Sequence, residues 1–182
     1  SGQGGGADFA SRLIAQGLLT SMGQPVIVDT RSTGAIPGEV VARAASDGYT
    51  LLLDAASIWI GGLLQETHYD PIRDFSPITV VEKSPFVLVV TPSLPVNSVK
   101  DLIALAKAKP GTLNYGFGAT GGSVHLATEL FNYMAGVNIV RISFKGGGPL
   151  YTAVISGEVQ FTLASAGGAM PHIKSGRMRA LA

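Results

Sequence analysis

The sequence predicts an α/β protein with two lobes, each an open and mostly parallel sheet, and three observations predict it. Apolar residues switch repeatedly between a helical and a strand period along the 182 residues. Glycine-rich stretches stand where strands hand over to helices. Near residue 90 the pattern changes: the apolar runs Ile78-Thr-Val-Val81 and Phe86-Val-Leu-Val-Val90 are followed by the extended Thr91-Pro-Ser-Leu-Pro95. Short elements in alternating order favour parallel sheets with right-handed crossovers. A first lobe is therefore expected over residues 1–90 and a second over 91–182, with the crossing between them near residue 90.

Each element has its own signal. Phe9, Leu13, Ile14, Leu18 and Met22 share one helical face, Gly23 is a natural stop, and Pro25-Val-Ile-Val28 reads as a short strand. A helix over Glu39–Ala45 and the turn Asp47-Gly48 lead to Tyr49-Thr-Leu-Leu-Leu53, an apolar run of the kind buried on both faces of a parallel sheet. Ser98 with Asp101 three residues on resembles a capping box, opening a helix that ends before Pro110-Gly111. Strands are then expected over 113–117, 139–144, 159–163 and 178–181, alternating with helices over 124–134, 150–155 and 169–174. No solenoid-length repeat is present.

Composition narrows the function. With 46% hydrophobic and 14% charged residues the chain is globular rather than disordered, and no run of eighteen apolar residues offers a membrane span. The absence of cysteine removes a disulfide framework and a thiol nucleophile, and fits a periplasmic or a cytosolic protein equally. The net charge of +1 divides unevenly: residues 1–91 hold five Lys/Arg against nine Asp/Glu, and residues 92–182 eight against three. Nothing resembles the dense basic patch that nucleic acid requires.

Glycines precede the expected helices at Gly4-Gly5-Gly6, Gly116–Gly122, Gly146-Gly147-Gly148 and Gly167-Gly168. Backbone amides can approach a ligand closely there, at a positive helix end, so the loops together read as an anion cradle, although any one of them could be a simple turn. Gly116-x-Gly118-x-x-Gly121 also follows a strand and precedes a helix, as in a dinucleotide-binding fingerprint. The acidic residue expected about 20 positions on is missing, with Arg141 and Lys145 in its place, which leaves a Rossmann-like oxidoreductase using a 2′-phosphorylated cofactor as the alternative. No loop ends in the Gly-Lys-Ser/Thr of a Walker motif.

Catalytic constellations are sparse. His68, His125 and His172 include no pair at metal spacing; His125 and Glu129 are four apart on a helix, as a surface contact would be, and no metal is assigned. Ser123 lacks a nucleophile elbow and reads as a helix N-cap or a hydrogen-bond donor to ligand. Asp8 falls in a first helical turn, where the dipole favours an acid with or without a ligand. Trp59 and Phe117 could line a pocket or fill a core.

These residues carry a family resemblance. Gly4-Gly-Gly-Ala-Asp8, Gly23-Gln-Pro-Val26, Asp47-Gly-Tyr-Thr-Leu-Leu-Leu53, Tyr69-Asp-Pro71 with Asp74-Phe75, Leu113-Asn-Tyr-Gly116, Ser123-x-His-Leu126, Phe144-Lys-Gly146 and Pro171-His-Ile-Lys-x-Gly-x-Met-Arg-Ala-Leu181 resemble the Bug-type periplasmic substrate-binding proteins of tripartite tricarboxylate transporters. The resemblance implies a two-lobed periplasmic-binding-protein fold that closes like a hinge on a small organic carboxylate. It also implies a periplasmic location, delivery to membrane permease subunits, no cofactor and no catalysis.

The resemblance places Gly5, Gly6, Ala7 and Asp8 in the first-lobe ligand loop, with Ala7 where the family often has threonine. Ser57 becomes the cleft candidate after Leu53, while Asp54 would repel an anion if it faced inward. Phe117, Gly118, Thr120, Gly121, Gly122 and Ser123 would face the ligand from the second lobe, with Gly146 and Gly147 beside them. Ser165 stands in Ala164-Ser165, where the family often has Asp-Asn. Phe117 in place of a small residue tilts the expectation toward a less polar or aromatic carboxylate. The family also has a strand before the glycine loop and a segment returning from the second lobe to complete the first, so the 182 residues are expected to be truncated at both ends, with the last strand heading back to the first lobe.

Overall fold

The computed structural model describes residues 5–31 and 35–182; Gly4 of the first glycine loop lies outside them. Its centre is a mixed five-stranded sheet in the order β3-β2-β4-β1-β5, formed by β1 (Phe86–Val90), β2 (Asn114–Phe117), β3 (Val140–Ser143), β4 (Phe161–Ser165) and β5 (Arg179–Ala180). Strand β2 runs parallel to β3 and β4, and β1 runs antiparallel to both β4 and β5. The sheet thus begins at Phe86 rather than beyond residue 90, because β1 supplies the hydrogen-bond partners for β4 from Phe86↔Ser165 to Val90↔Phe161. The last strand, β5, pairs with β1 in this same sheet, and the Leu88 amide donates to the Ala182 carbonyl.

Period-two alternation sorts the strands into two cores. Leu88, Val90, Tyr115, Phe117 and Phe161 face Leu102 and Ala106 of α4 (Val99–Ala108) and Phe131 of α5 (Ser123–Ala135). Val89 and Ala164 face Leu150 and Val154 of α6 (Gly147–Ser156) and Ala169 of α7 (Ala166–Lys174). Gly116, between two core aromatics, points at α6: a Cβ there would lie 2.2 Å from Leu150 Cδ1. Helix α4 starts as its sequence predicts, with Ser98 Oγ accepting from the Asp101 amide at 3.1 Å and Asp101 Oδ2 accepting from the Asn97 amide at 3.0 Å.

Residues 5–31 and 35–81 fold differently. Helices α1 (Gly6–Met22), α2 (Ile36–Ala42) and α3 (Ala56–Leu64) lie here, and Ala35, Ile58 and Tyr69 form a small cluster against which Ala42, Leu52 and Phe75 pack. Tyr69 donates to the Ile58 carbonyl at 3.2 Å and meets Phe75 edge-on. Among the described residues the strands expected over 25–28 and 49–53 are absent, the apolar run over 78–81 forms none either, and α3 occupies a stretch in which no helix is expected. A helix closes its hydrogen bonds within itself, whereas a strand needs a neighbour, and among the described residues none pairs with these runs. Ile27, Tyr49 and Ile78 are accordingly exposed at 89%, 88% and 77%.

Candidate functional site

Because β2, β3 and β4 are parallel, their carboxyl ends share one edge, and α5, α6 and α7 each start there. Antiparallel β1 brings its first residue, Phe86, to the same edge opposite Ser165. Helix α1 aims its start at this edge from the other region: a Cβ on Gly6 would lie 3.1 Å from Ser165 Oγ. The end of α3 arrives too, since a Cβ on Gly121 would lie 2.7 Å from Leu64 Cδ1, and the φ of +74° at Gly121 independently favours glycine. Gly118 and Gly146 are neighbours, with a Gly118 Cβ placed 3.8 Å from Gly146 Cα. First-turn amides of a helix have no partner within the helix, so the starts of α1, α5, α6 and α7 give this edge several donors and a positive field. No side chain caps any of these four helices.

The candidate residues divide under this geometry. Gly5 is the N-cap of α1, and Gly6 and Ala7 are its first residues, partly buried at the edge. Asp8 is 6% exposed and its carboxylate accepts from Arg12 Nε at 3.1 Å, so it neutralises a cation within α1. Ser57 is 8% exposed and donates to Asp54 at 2.8 Å. Its proton is held by that carboxylate, which also accepts from the Ala55 amide, so Ser57 is no donor to an anion in this arrangement.

The loop after β2 also needs correction. Phe117 is 4% exposed, packed in the core and stacked on the His125 ring at 4.4 Å, so it does not face a ligand. The Gly121 amide donates to His125 Nδ1 at 3.2 Å and the Gly122 amide to the Ala119 carbonyl at 2.9 Å, which uses both donors inside the loop. Gly122, not Ser123, is the N-cap of α5. Ser123 is half-buried in the first turn, and its hydroxyl makes no hydrogen bond among the described residues. Gly118 is partly buried and Thr120 exposed on the same loop. Gly146 is the N-cap residue of α6, Gly147 begins it, and Ser165 is the N-cap residue of α7, its hydroxyl making no capping bond.

Sequence reasoning missed Tyr151, Leu64 and Phe86. Tyr151 is 6% exposed, and burial raises its pKa against a lowering from Ser165. A phenol inside a mostly apolar helix is the sequence signal it carries. His125, read as a surface contact, is 7% exposed. Its Nε2 has no hydrogen-bond partner and lies 3.9 Å from Glu129 Oε1, which already accepts from the Tyr115 hydroxyl at 2.6 Å. Burial pushes the His125 pKa down, with Glu129 raising and Arg141 further lowering it. Burial, then Glu129, pushes Tyr115 well above its usual range.

Gly116 tests the nucleotide reading. A dinucleotide fingerprint uses its first glycine for the tight turn after the strand. Here Gly116 lies inside β2 and serves the packing of Leu150, Phe144 and Val159. An open groove of about 500 Å³ between the end of α5 and β3, lined by Glu129, Asn132 and Arg141, lies at the opposite edge of the sheet. The buried Oδ1 of Asn132 lacks a partner, but it has no solvent contact through which a ligand could reach it.

A mixed α/β sheet with helix starts collected at the carboxyl edge of its parallel strands places the protein in the periplasmic-binding-protein class. The chain belongs to the tripartite tricarboxylate transporter family receptors, whose family pattern matches residues 10–182. It is similar to the protein BugT of Bordetella pertussis, at 38% identity over 98% of this chain and 56% of that protein. Among solved structures, R. palustris Rpa4515 with adipate superposes with a TM-score of 0.94 at 38% identity, covering 99% of this chain and 62% of that one. MatC (Rpa3494) from Rhodopseudomonas palustris, with bound malate, shares the fold at a TM-score of 0.89 and 24% identity, over 98% of this chain and 62% of that one. The chain spans about half the length of the curated relatives it matches. No helix among the described residues is long and apolar enough to cross a membrane.

Proposed function

We propose that this chain serves an extracytoplasmic solute-binding protein, located in the periplasm, which captures a small organic dicarboxylate and delivers it to the membrane permease subunits of a tripartite tricarboxylate-type transporter. The observation that carries the reading is the meeting of the α1, α5, α6 and α7 starts at one sheet edge, where Gly6 reaches Ser165 and Gly118 reaches Gly146. Amides and hydroxyls there suit a carboxylate without a dedicated arginine. Ser123, with its hydroxyl uncommitted, and the first-turn amides of α5 and α6 are the donors proposed to hold one carboxylate; Gly5, Gly6 and Ala7 approach from the other region. The charge excess of residues 92–182 favours an anion at this face. Adipate in the similar Rpa4515 sets the first ligand to try. The protein binds and releases its ligand without covalent chemistry or a cofactor.

Calorimetry of the chain with adipate, malate and nicotinamide cofactors tests this. Saturable binding of a dicarboxylate with no response to the cofactors is expected. Binding of a nicotinamide cofactor alone would return the glycine loop to the oxidoreductase reading.

A further inference from the structure

The ring of His125 sits behind the ligand loop rather than in it. One face stacks on Phe117 at 4.4 Å with an interplanar angle of 22°, which fixes the ring between β2 and α5. Nδ1 accepts the Gly121 amide at 3.2 Å, so the ring proton resides on Nε2 and Nδ1 must be bare for the contact to exist. Nε2 is buried beside Glu129, which is held in turn by Tyr115. The charged groups acting on the ring are Glu129 on its own helix and Arg141 on β3, with Tyr115 on β2 bonded to Glu129. Gly121 is also the loop residue against which Leu64 packs, so the same residue meets α3 in front and His125 behind.

We propose that His125 is a positioning residue for ligand capture: its neutral Nδ1 holds the Gly121 amide and thereby the shape of loop 118–122, and its protonation releases the loop and weakens the grip on a carboxylate. A proton on Nδ1 converts that acceptor into a donor facing the Gly121 amide hydrogen, so donor faces donor and the contact cannot persist. The new positive charge is drawn to Glu129 at Nε2, while Arg141 opposes it. The loop then loses the side-chain hydrogen bond that, among the described residues, ties it to α5. The effect on affinity rests on the carboxylate reading; the effect on the loop does not.

Two measurements keep these apart. Nitrogen-15 spectra of the chain follow the His125 ring and the Gly121 amide from about pH 8 to about pH 5, and calorimetry follows adipate binding over the same range for wild type, His125→Asn and His125→Ala. Asparagine offers an amide oxygen near the Nδ1 position and does not titrate. A bare Nδ1 at neutral pH and a Gly121 signal that moves with the titration of His125 are expected. Wild type should lose adipate affinity by about 2- to 10-fold relative to His125→Asn as pH falls, the size of one neutral hydrogen bond. Protonation of adipate itself acts on both proteins alike. His125→Ala should bind more weakly than His125→Asn at every pH. A protonated Nδ1 at neutral pH, a Gly121 signal indifferent to the titration, or equal adipate affinity in all three proteins at all pH values overturns the proposal. If no protein binds adipate while Gly121 still follows His125, the carboxylate reading fails and the positioning of the loop by His125 is upheld.

Discussion

Phe161 and Ile27 are both large apolar residues in stretches that read as strands, yet Phe161 is fully buried and Ile27 is 89% exposed. The difference lies in what surrounds them. Phe161 stands in β4, with β1 on one side and β2 on the other, below Phe131 and beside Tyr115. The run holding Ile27 has no partner strand among the described residues, and neither do the runs holding Tyr49 and Ile78. Apolar sequence makes a strand possible, but hydrogen bonding to a neighbour makes it real. The carboxyl edge of the sheet borrows its order from the sheet side, while the α1 and α3 contributions rest on a few contacts, Gly6 with Ser165 and Leu64 with Gly121.

The contrast should appear first in stability. Phe161→Ala removes a ring from the centre of the sheet and should cost about 3–5 kcal/mol by thermal or denaturant unfolding, whereas Ile27→Ser should stay within about 0.5 kcal/mol. Equal effects would erase the distinction. Next in size is Gly116→Val, whose side chain would collide with Leu150, Phe144 and Val159 and should destabilise by about 1–3 kcal/mol.

Function and stability should part company at the edge. Gly118→Val adds a Cβ that meets Gly146 at an ordinary 3.8 Å, so the fold should tolerate it while adipate affinity falls about tenfold or more; a folded variant that binds normally removes this loop from the site. Ser123→Ala should weaken binding by about 0.5–1.5 kcal/mol with an unchanged melting temperature. Unchanged affinity on calorimetry would leave Ser123 a helix-start residue only.

The smallest effect is a pH dependence of stability. His125 and His172 both have pKa values lowered by burial, His172 with help from Arg177. Unfolded histidine titrates near about 6.5. The unfolded chain therefore takes up protons first, and the stabilising contribution is complete above that pH and lost as pH falls through the folded values. His125→Asn and His172→Asn should each flatten the fall in melting temperature below about pH 6.5.

The helices and the carboxyl-half strands were legible because their signals are local. The capping residues Ser98 and Asp101, the αL stop at Gly23 and the continuous apolar run of β1 depend on nothing distant. Helix α3 was not legible, since Ala56–Leu64 is apolar on all sides and shows no helical face. Phe117 was misread although parity could have placed it: two residues after Tyr115, it shares that residue's core face, and Gly116 between them faces α6. The commitments of Ser57 to Asp54 and Asp8 to Arg12 were within reach from spacings of three and four. The antiparallel course of β1, which delivers Phe86 to the carboxyl edge of the sheet opposite Ser165, is a matter of topology that no local pattern encodes.

Chemical-shift mapping of the chain during titration with adipate is the most direct test of a carboxylate site at the carboxyl edge of the sheet. Saturable shifts are expected at Gly6, Gly118, Ser123, Val124 and Gly147, with the groove residues Glu129, Asn132 and Arg141 unmoved. Shifts confined to that groove, or none at the edge with adipate in large excess, would contradict it.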